Sequence, residues 1–329
     1  MTDYMHSFDL FAPASVEEAA ELLDKYGKDS WIIAGGKDSF DWFKDRHKKP
    51  AAVIDISGLE QLHGIRDKGD HVSIGALTTL TEIEDSKLLQ DNFPVLTTAA
   101  GRVASPQIRN AGTLGGNVSQ DTRCTYYRDG FPCYRAGGNT CYANTPTGMN
   151  REHALYEAVR CIAVTPSDTA PALVALDAEM VISRKGKLRT VPAEKFFIGP
   201  AIDILRMTVL EKGDILTEIR LPKKWAGARH YFEKVADRET WDFALVNIAM
   251  VAKISGGKVT DVRMACGGVQ CTPRRLRNVE DLLKGEAVSA ESETLARRVA
   301  AQGAKAFNYN HFKIPLMSNL AARAVRSLA

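Results

Sequence analysis

The sequence predicts an α+β protein of two domains, and three features carry that reading. Short apolar strands and amphipathic helices alternate over the first sixty residues. A long hairpin signature followed by three helices fills the last third, and between these regions residues 119–162 hold to neither a helical nor a strand period. With 329 residues, the chain has room for two domains of roughly 100–200 residues each.

Each element has a local signature. Phe8 to Ala12 is an apolar strand. Ser15-Val-Glu-Glu18 then opens a helix with a capping box, in which the Ser hydroxyl and the Glu carboxylate serve free backbone amides. Trp31 to Ile33 forms a second strand running into Ala34-Gly-Gly-Lys-Asp-Ser39 and another helix, and Ala52 to Ile56 forms a third, a βαβ-like rhythm. Strand Val72 to Ile74 and helices Leu80 to Glu84 and Val95 to Ala104 lead to a Gly-rich turn, Asn110-Ala-Gly-Thr-Leu-Gly-Gly-Asn117. The stretch at 119–162 is crowded with Cys, Tyr, Asn, Gly and Pro, and only Arg151 to Val159 suggests a period. Irregular segments of that length inside a compact domain are usually functional or disordered. Apolar patterning resumes at Ala170 to Asp177, and Ile215 to Leu221 alternates as a strand. Phe243 to Ala265 reads as two strands joined at Ser255-Gly-Gly-Lys258, and helices follow over Arg275 to Leu283, Glu291 to Ala306 and Ser318 to Leu328. No internal repeat or low-complexity tract occurs.

Composition excludes several classes. Hydrophobic residues make up 45% and charged residues 25%, an ordinary globular balance. A net charge of +3 with both signs interspersed reads as solvated surface and predicts no nucleic-acid partner. No apolar run nears the roughly 18 residues of a membrane span, and the longest, Phe243 to Val251, reads as a core strand. Met1 to Ser7 carry neither the basic nor the apolar region of an export signal. A cytoplasmic location is therefore expected, with export open only alongside a partner that bears the signal. In that setting the six cysteines are expected as thiols or ligands rather than disulfides.

There is no G-x-G-x-x-G and no Walker A motif, which disfavours a Rossmann site or an NTPase. The chain offers instead two strand-to-helix glycine turns, Gly35-Gly36 and Gly112-Thr-Leu-Gly115-Gly116. Such turns can converge backbone amides on the two phosphates of a dinucleotide, or simply turn the chain tightly. Cys124, Cys133, Cys141 and Cys161 follow the spacing C-x8-C-x7-C-x19-C. Four thiolates can hold a [4Fe–4S] cluster; the spacing lacks the paired knuckles of zinc ribbons, though zinc and unrelated cysteines stay open. His153 is an alternative ligand or a loop-bracing residue. Tyr126, Tyr127 and Tyr134 shield a cluster or merely pack the insert, and Cys266 and Cys271 are read as non-ligands. No Ser-His-Asp or Cys-His nucleophile arrangement is present, so no catalytic residue is assigned.

Ala34-Gly-Gly-Lys-Asp-Ser39 and Ile108-Arg-Asn-Ala-Gly-Thr-Leu-Gly-Gly-Asn117 resemble the two FAD signatures of the medium subunit of xanthine dehydrogenase-type molybdenum hydroxylases. Pro166-Ser-Asp168, Phe232-Glu-Lys234, Phe243-Ala-Leu-Val and Gly267-Gly268 match that family in order, so the resemblance spans the chain. It implies a vanillyl-alcohol-oxidase (PCMH-type) FAD-binding domain over 1–202, with subdomains about 1–60 and 61–202 and an insert about 119–162. A CO-dehydrogenase flavoprotein-type C-terminal domain over 203–329 would follow. Its implied FAD contacts are Ile33, Ala34, Gly35, Gly36, Lys37, Asp38, Ser39, Ser105, Arg109, Asn110, Gly112, Thr113, Gly115, Gly116, Asn117, Asp168, Leu216 and Lys234. The family usually places Thr where Lys37 stands. Around the cysteines, Thr122-Arg-Cys124, Pro132-Cys133, Asn150-Arg-x-His153 and Cys161-Ile-Ala-x-x-Pro-Ser-Asp168 resemble the [4Fe–4S]-containing type, as in bacterial aldehyde oxidoreductase and 4-hydroxybenzoyl-CoA reductase.

The implied function is that of an electron-transfer subunit. Electrons would pass between [2Fe–2S] clusters of a small subunit, this chain's FAD and [4Fe–4S] cluster, and an external acceptor or donor such as a soluble carrier. A large molybdenum-cofactor subunit would act on an aldehyde, aromatic or acyl-CoA substrate. A self-contained flavin oxidase or reductase, a zinc-binding or empty insert, and a non-redox scaffold are the alternatives.

Overall fold

A computed structural model describes residues 5–329; the first four residues of the segment read as lacking an export signal lie outside it. Among the described residues, twelve strands form three sheets. β1 (Asp9–Phe11), β2 (Ser30–Ile33) and β3 (Ala52–Asp55) make a parallel sheet in the order β1-β3-β2. β4 (Ile65–Asp67), β5 (His71–Gly75), β6 (Glu179–Arg184), β7 (Lys187–Pro192) and β8 (Ile215–Pro222) form an antiparallel sheet ordered β4-β5-β8-β6-β7. β9 (Arg229–Val235), β10 (Val246–Ser255), β11 (Lys258–Gly267) and β12 (Arg274–Arg275) form the third, antiparallel sheet.

Helix Val16–Tyr26 starts where the sequence places it. The Ser15 hydroxyl accepts the Glu18 amide, while the Glu18 carboxylate takes the Ala14 amide, one residue before the predicted partner. Its Val16, Ala19, Ala20 and Leu23, spaced at i, i+3, i+4 and i+7, bury against Ile54, Ile56 and Ile215 and so join the first sheet to the second. The central core packs β5, β6 and β8 against helices Leu80–Asp85, Pro94–Gly101 and Thr169–Ala175.

β10 is buried on both faces. Ala249 and Val251 join the central core, while Val246, Ile248, Met250 and Ala252 face helices Arg277–Leu283, Ala290–Ala300 and Lys313–Arg326. This two-sided burial explains why Val246 to Val251 is apolar at every position but Asn247 without spanning a membrane. No helix among the described residues is long and apolar enough to cross one. The predicted turn at Gly256-Gly257 is present, both residues at positive φ (55° and 75°).

Other boundaries differ from the sequence reading. β8 is the central strand of the second sheet, so the chain changes sheet between Pro222 and Arg229, not after residue 202. Residues 151–159 form turns rather than a periodic element. The helix expected to reach Ala306 ends at Ala300, and the last helix begins at Lys313, because Pro315 lies in its first turn, where a missing N–H costs nothing.

Candidate FAD cleft and cysteine site

The two glycine turns meet. A Cβ on Gly35 would stand 1.7 Å from the carbonyl oxygen of Ala111, so the loops touch backbone to backbone where only glycine fits. Between them opens a cleft of about 370 Å³, whose walls include Ala34 to Ser39, Gly112, Thr113, Gly115, Gly116, Asn117, Asp168 and Leu216. Ile33 lies under it in the core; Ser105, Arg109, Asn110 and Lys234 stand outside its lining. Arg109 pairs instead with Glu84 at 2.9 Å, and Asn110 accepts from Thr81.

The turns contribute unequally. In the second, the amides of Gly112, Leu114, Gly115, Gly116 and Asn117 already donate to Ile108, Thr78, Ala76 and Thr113. In the first, the amides of Gly35, Gly36, Lys37, Asp38 and Ser39 donate to no group among the described residues, which leaves them for a phosphate. Lys37 is exposed beside them and makes no ion pair among the described residues. These features suit a dinucleotide diphosphate.

Asp168 closes the far wall. It is buried with Lys234, whose ammonium donates to Asp168 Oδ2 at 2.6 Å and to the carbonyls of Arg102 and Asp242. Burial pushes the Asp168 carboxyl up, against the pull of Lys234 and the Asn247 amide at 2.9 Å. Lys234 thus reaches the cleft through Asp168. Trp241 and Phe243, both exposed, also line it: no sequence signal marked Trp241, while Phe243, read from the sequence as the start of a core strand, lies in the loop before β10, which begins at Val246.

The four predicted cysteines converge. Cys124, Cys133, Cys141 and Cys161 line one small hollow with Tyr126, Tyr127, Tyr134, Arg135 and His153, and all six cysteines of the chain are free thiols. Burial pushes the Cys124 thiol up to about 12; the Tyr127 amide opposes this, and the like charge of the other three thiols adds to it. The Ala163 amide hydrogen-bonds to Cys161 in the same way. His153 Nε2 lies 3.2 Å from Cys124 Sγ, and burial, then Lys313, lowers its pKa to about 4. The insert is braced: Arg135 donates twice to Asp121 and once to the Ile204 carbonyl, while Tyr127 and Lys48 complete the Asp121 side. Tyr126, Phe131 and Tyr142 pack ring on ring over the cysteines' flank. Cys266 and Cys271 are buried outside the hollow; Cys271 Sγ sits 3.6 Å from Met207 Sδ, yet near enough to Cys161 to feel its charge.

A two-domain protein with a dinucleotide-binding cleft is the class that fold and cleft define. Residues 6–224 match the FAD binding domain in molybdopterin dehydrogenase, and residues 230–327 match the CO dehydrogenase flavoprotein C-terminal domain; the chain belongs to this family. It is 32% identical to the carbon monoxide dehydrogenase medium chain of Hydrogenophaga pseudoflava over 89% of this chain and 85% of the relative. Identity is 34% to the aldehyde oxidoreductase FAD-binding subunit PaoB of Escherichia coli, over 74% of this chain and 76% of the relative. Among solved structures, the carbon monoxide dehydrogenase from Hydrogenophaga pseudoflava lacking the Mo-pyranopterin moiety of its molybdenum cofactor superposes with a TM-score of 0.79 at 28% identity. That match covers 99% of this chain and 98% of the other. The chain is thus an FAD-binding oxidoreductase subunit of the molybdenum hydroxylase type.

Proposed function

We propose that this chain carries electrons between FAD in the cleft and a [4Fe–4S] cluster on Cys124, Cys133, Cys141 and Cys161. In the complete complex a small and a large subunit would flank it, as the name "medium chain" of its relatives suggests, and the sequence resemblance implies that the small one carries [2Fe–2S] clusters and the large one the molybdenum cofactor. The FAD contacts are the first turn's open amides, Thr113 and Asn117 on the second turn, and Asp168 held by Lys234. Bound there, FAD supplies the conversion between one- and two-electron transfer.

The observation that carries the cluster is the convergence of four cysteines, from three separate stretches of the insert, on one hollow. Around a single zinc, thiolates at about 2.3 Å from the metal stand roughly 3.8 Å apart. Among the described residues no three His, Cys, Asp or Glu side chains stand close enough to hold one ion. A [4Fe–4S] cluster asks instead for one thiolate on each of four irons, which the four cysteines lining the hollow can supply. The amides of Tyr127 and Ala163 at the sulfurs favour thiolate and raise a cluster's potential.

The test is iron, sulfide and zinc analysis of the anaerobically purified protein. About four irons and four sulfides per flavin are expected. Cys→Ser at 124, 133, 141 or 161 abolishes the iron, whereas Cys266→Ser leaves iron and flavin unchanged. Stoichiometric zinc, or a metal-free protein with full flavin, would sink the cluster while leaving the FAD assignment standing.

A further inference from the structure

Between the cleft and the cysteine hollow stand two arginines, Arg123 and Arg128. Arg123 and Arg128 both bind one carboxylate oxygen, Asp38 Oδ1, at 3.0 and 2.7 Å. Asp38 belongs to the first glycine turn, and the two arginines bracket Cys124. The two guanidiniums share the Asp38 carboxylate, and the second acid on Arg123, Asp41, is 59% exposed and 3.6 Å away, where solvent screens it. Arg123 Nε and Arg128 Nη1 are buried without a hydrogen-bond partner, so each cation has a donor unspent. Arg123 lines the FAD cleft, with its guanidinium 4.8 Å from the Phe243 ring centroid. It also lines a second hollow of about 220 Å³ that shares Asp168 and Phe243 with the cleft and Cys124 and His153 with the cysteine site.

We propose that Arg123 is a positioning residue common to both redox sites, holding a fixed positive charge that sets the reduction potentials of the flavin and the cluster together. The proposal rests on the presence of the cluster argued above. An electron arriving at either site adds negative charge. A cation fixed in partly desolvated surroundings favours that reduced form, more strongly than the same charge in water would. Asp38 is the restraint: it holds both guanidiniums in place and cancels part of their field, and its place on the glycine turn ties the insert to the flavin loop. The arrangement explains why a cluster-bearing insert returns to the FAD turn through two arginines rather than through neutral contacts.

The experiment is an anaerobic redox titration of the full-length holoprotein, with the flavin followed by absorbance and the cluster by electron paramagnetic resonance. Arg123→Gln is expected to lower both potentials, each by a tenfold change in the reduced-to-oxidised ratio at fixed poise. That change corresponds to about 30 mV for the two-electron flavin and about 59 mV for the one-electron cluster. Arg123→Lys, which keeps the charge, restores most of both, and Asp38→Asn moves both upward. If Arg123→Gln does not fold, the opposite shifts in Asp38→Asn and the retained potentials in Arg123→Lys carry the test. Wild-type iron and flavin content with unmoved potentials, or a shift at one site only, would overturn the shared role of Arg123 while leaving the cluster intact. Wild-type protein without iron would overturn the cluster and this inference together.

Discussion

The contact between Gly35 and Ala111 sets how near the two glycine turns come, and so how wide the cleft is. A methyl group there would stand 1.7 Å from a backbone oxygen, which cannot rotate away as a side chain could, so one loop must move. Gly35→Ala is therefore expected to weaken FAD binding at least about tenfold, equivalent to about 1.4 kcal/mol, read as flavin-fluorescence titration of the apoprotein. Undiminished affinity would show that the two turns need not touch. Glycines at such turns were legible in the sequence, as were the cysteines, because both chemistries demand particular residue types. Unequal use of the turns was not legible. Whether the amides of Gly115 or Gly36 are already spent depends on Ala76 and on the strand ends, which are remote in the chain. Nor could Asp38 be read as the anchor of two arginines ninety and eighty-five residues away; a carboxylate beside a diphosphate looks misplaced until its partners are known.

Among the elements, those with their own periodicity or turn chemistry were legible: the capped first helix, β2 and β3, and the hairpin at Gly256-Gly257. The β6–β7 hairpin was not, because β7 is an edge strand with charged, mostly exposed residues that show no apolar alternation. Its stability rests on a side-chain bond that a pattern search misses. Asp214, just before β8, takes two hydrogen bonds from Arg189 of β7, at 2.9 and 2.7 Å, and the Glu211 amide at 2.8 Å. Burial pushes the carboxyl up, but Arg189 and the amide outweigh it, and its pKa lies below the usual aspartate range. A depressed carboxyl stabilises the fold fully above its unfolded pKa of about 3.9, and that contribution is lost as pH falls through the lower folded value. Asp214→Asn should therefore cost on the order of 1 kcal/mol at neutral pH, a modest figure because Arg189 is 40% exposed and screened. The cost should shrink as pH falls below the unfolded value of about 3.9 and vanish once pH is below the lower folded value, in urea melts compared across pH. A gap that persists at low pH would mean that the carboxylate's charge is not what matters.

Over the whole molecule, the insert is fastened at two ends by different means: through Asp38 to the flavin loop, and through Lys313 to the last sheet and last helix. Lys313, at the start of helix Lys313–Arg326, is fully buried, and its ammonium donates to the carbonyls of Glu152, His153 and Gly268. Two of these carbonyls belong to the end of the insert and the third to the turn after β11, so one side chain gathers three segments that share no sheet. Only the protonated form has three N–H groups for three acceptors. Lys313→Met fills similar space but leaves three buried carbonyls without this donor, each at about 1–3 kcal/mol if water does not reach them. We expect a loss of several kcal/mol in denaturant unfolding. Limited proteolysis should cut first within residues 119–162, because that end loses the Lys313 bonds and keeps only the neutral ones from Asn310 to the carbonyls of His153 and Ala154, from Asn308 and between Asn150 and Tyr309. Cutting elsewhere first, with the insert still protected, would show that the hollow's cysteines and aromatic rings hold it without the lysine. The same variant separates packing from redox function: its flavin cleft lies beyond Asp168, so FAD content should survive even where iron is lost.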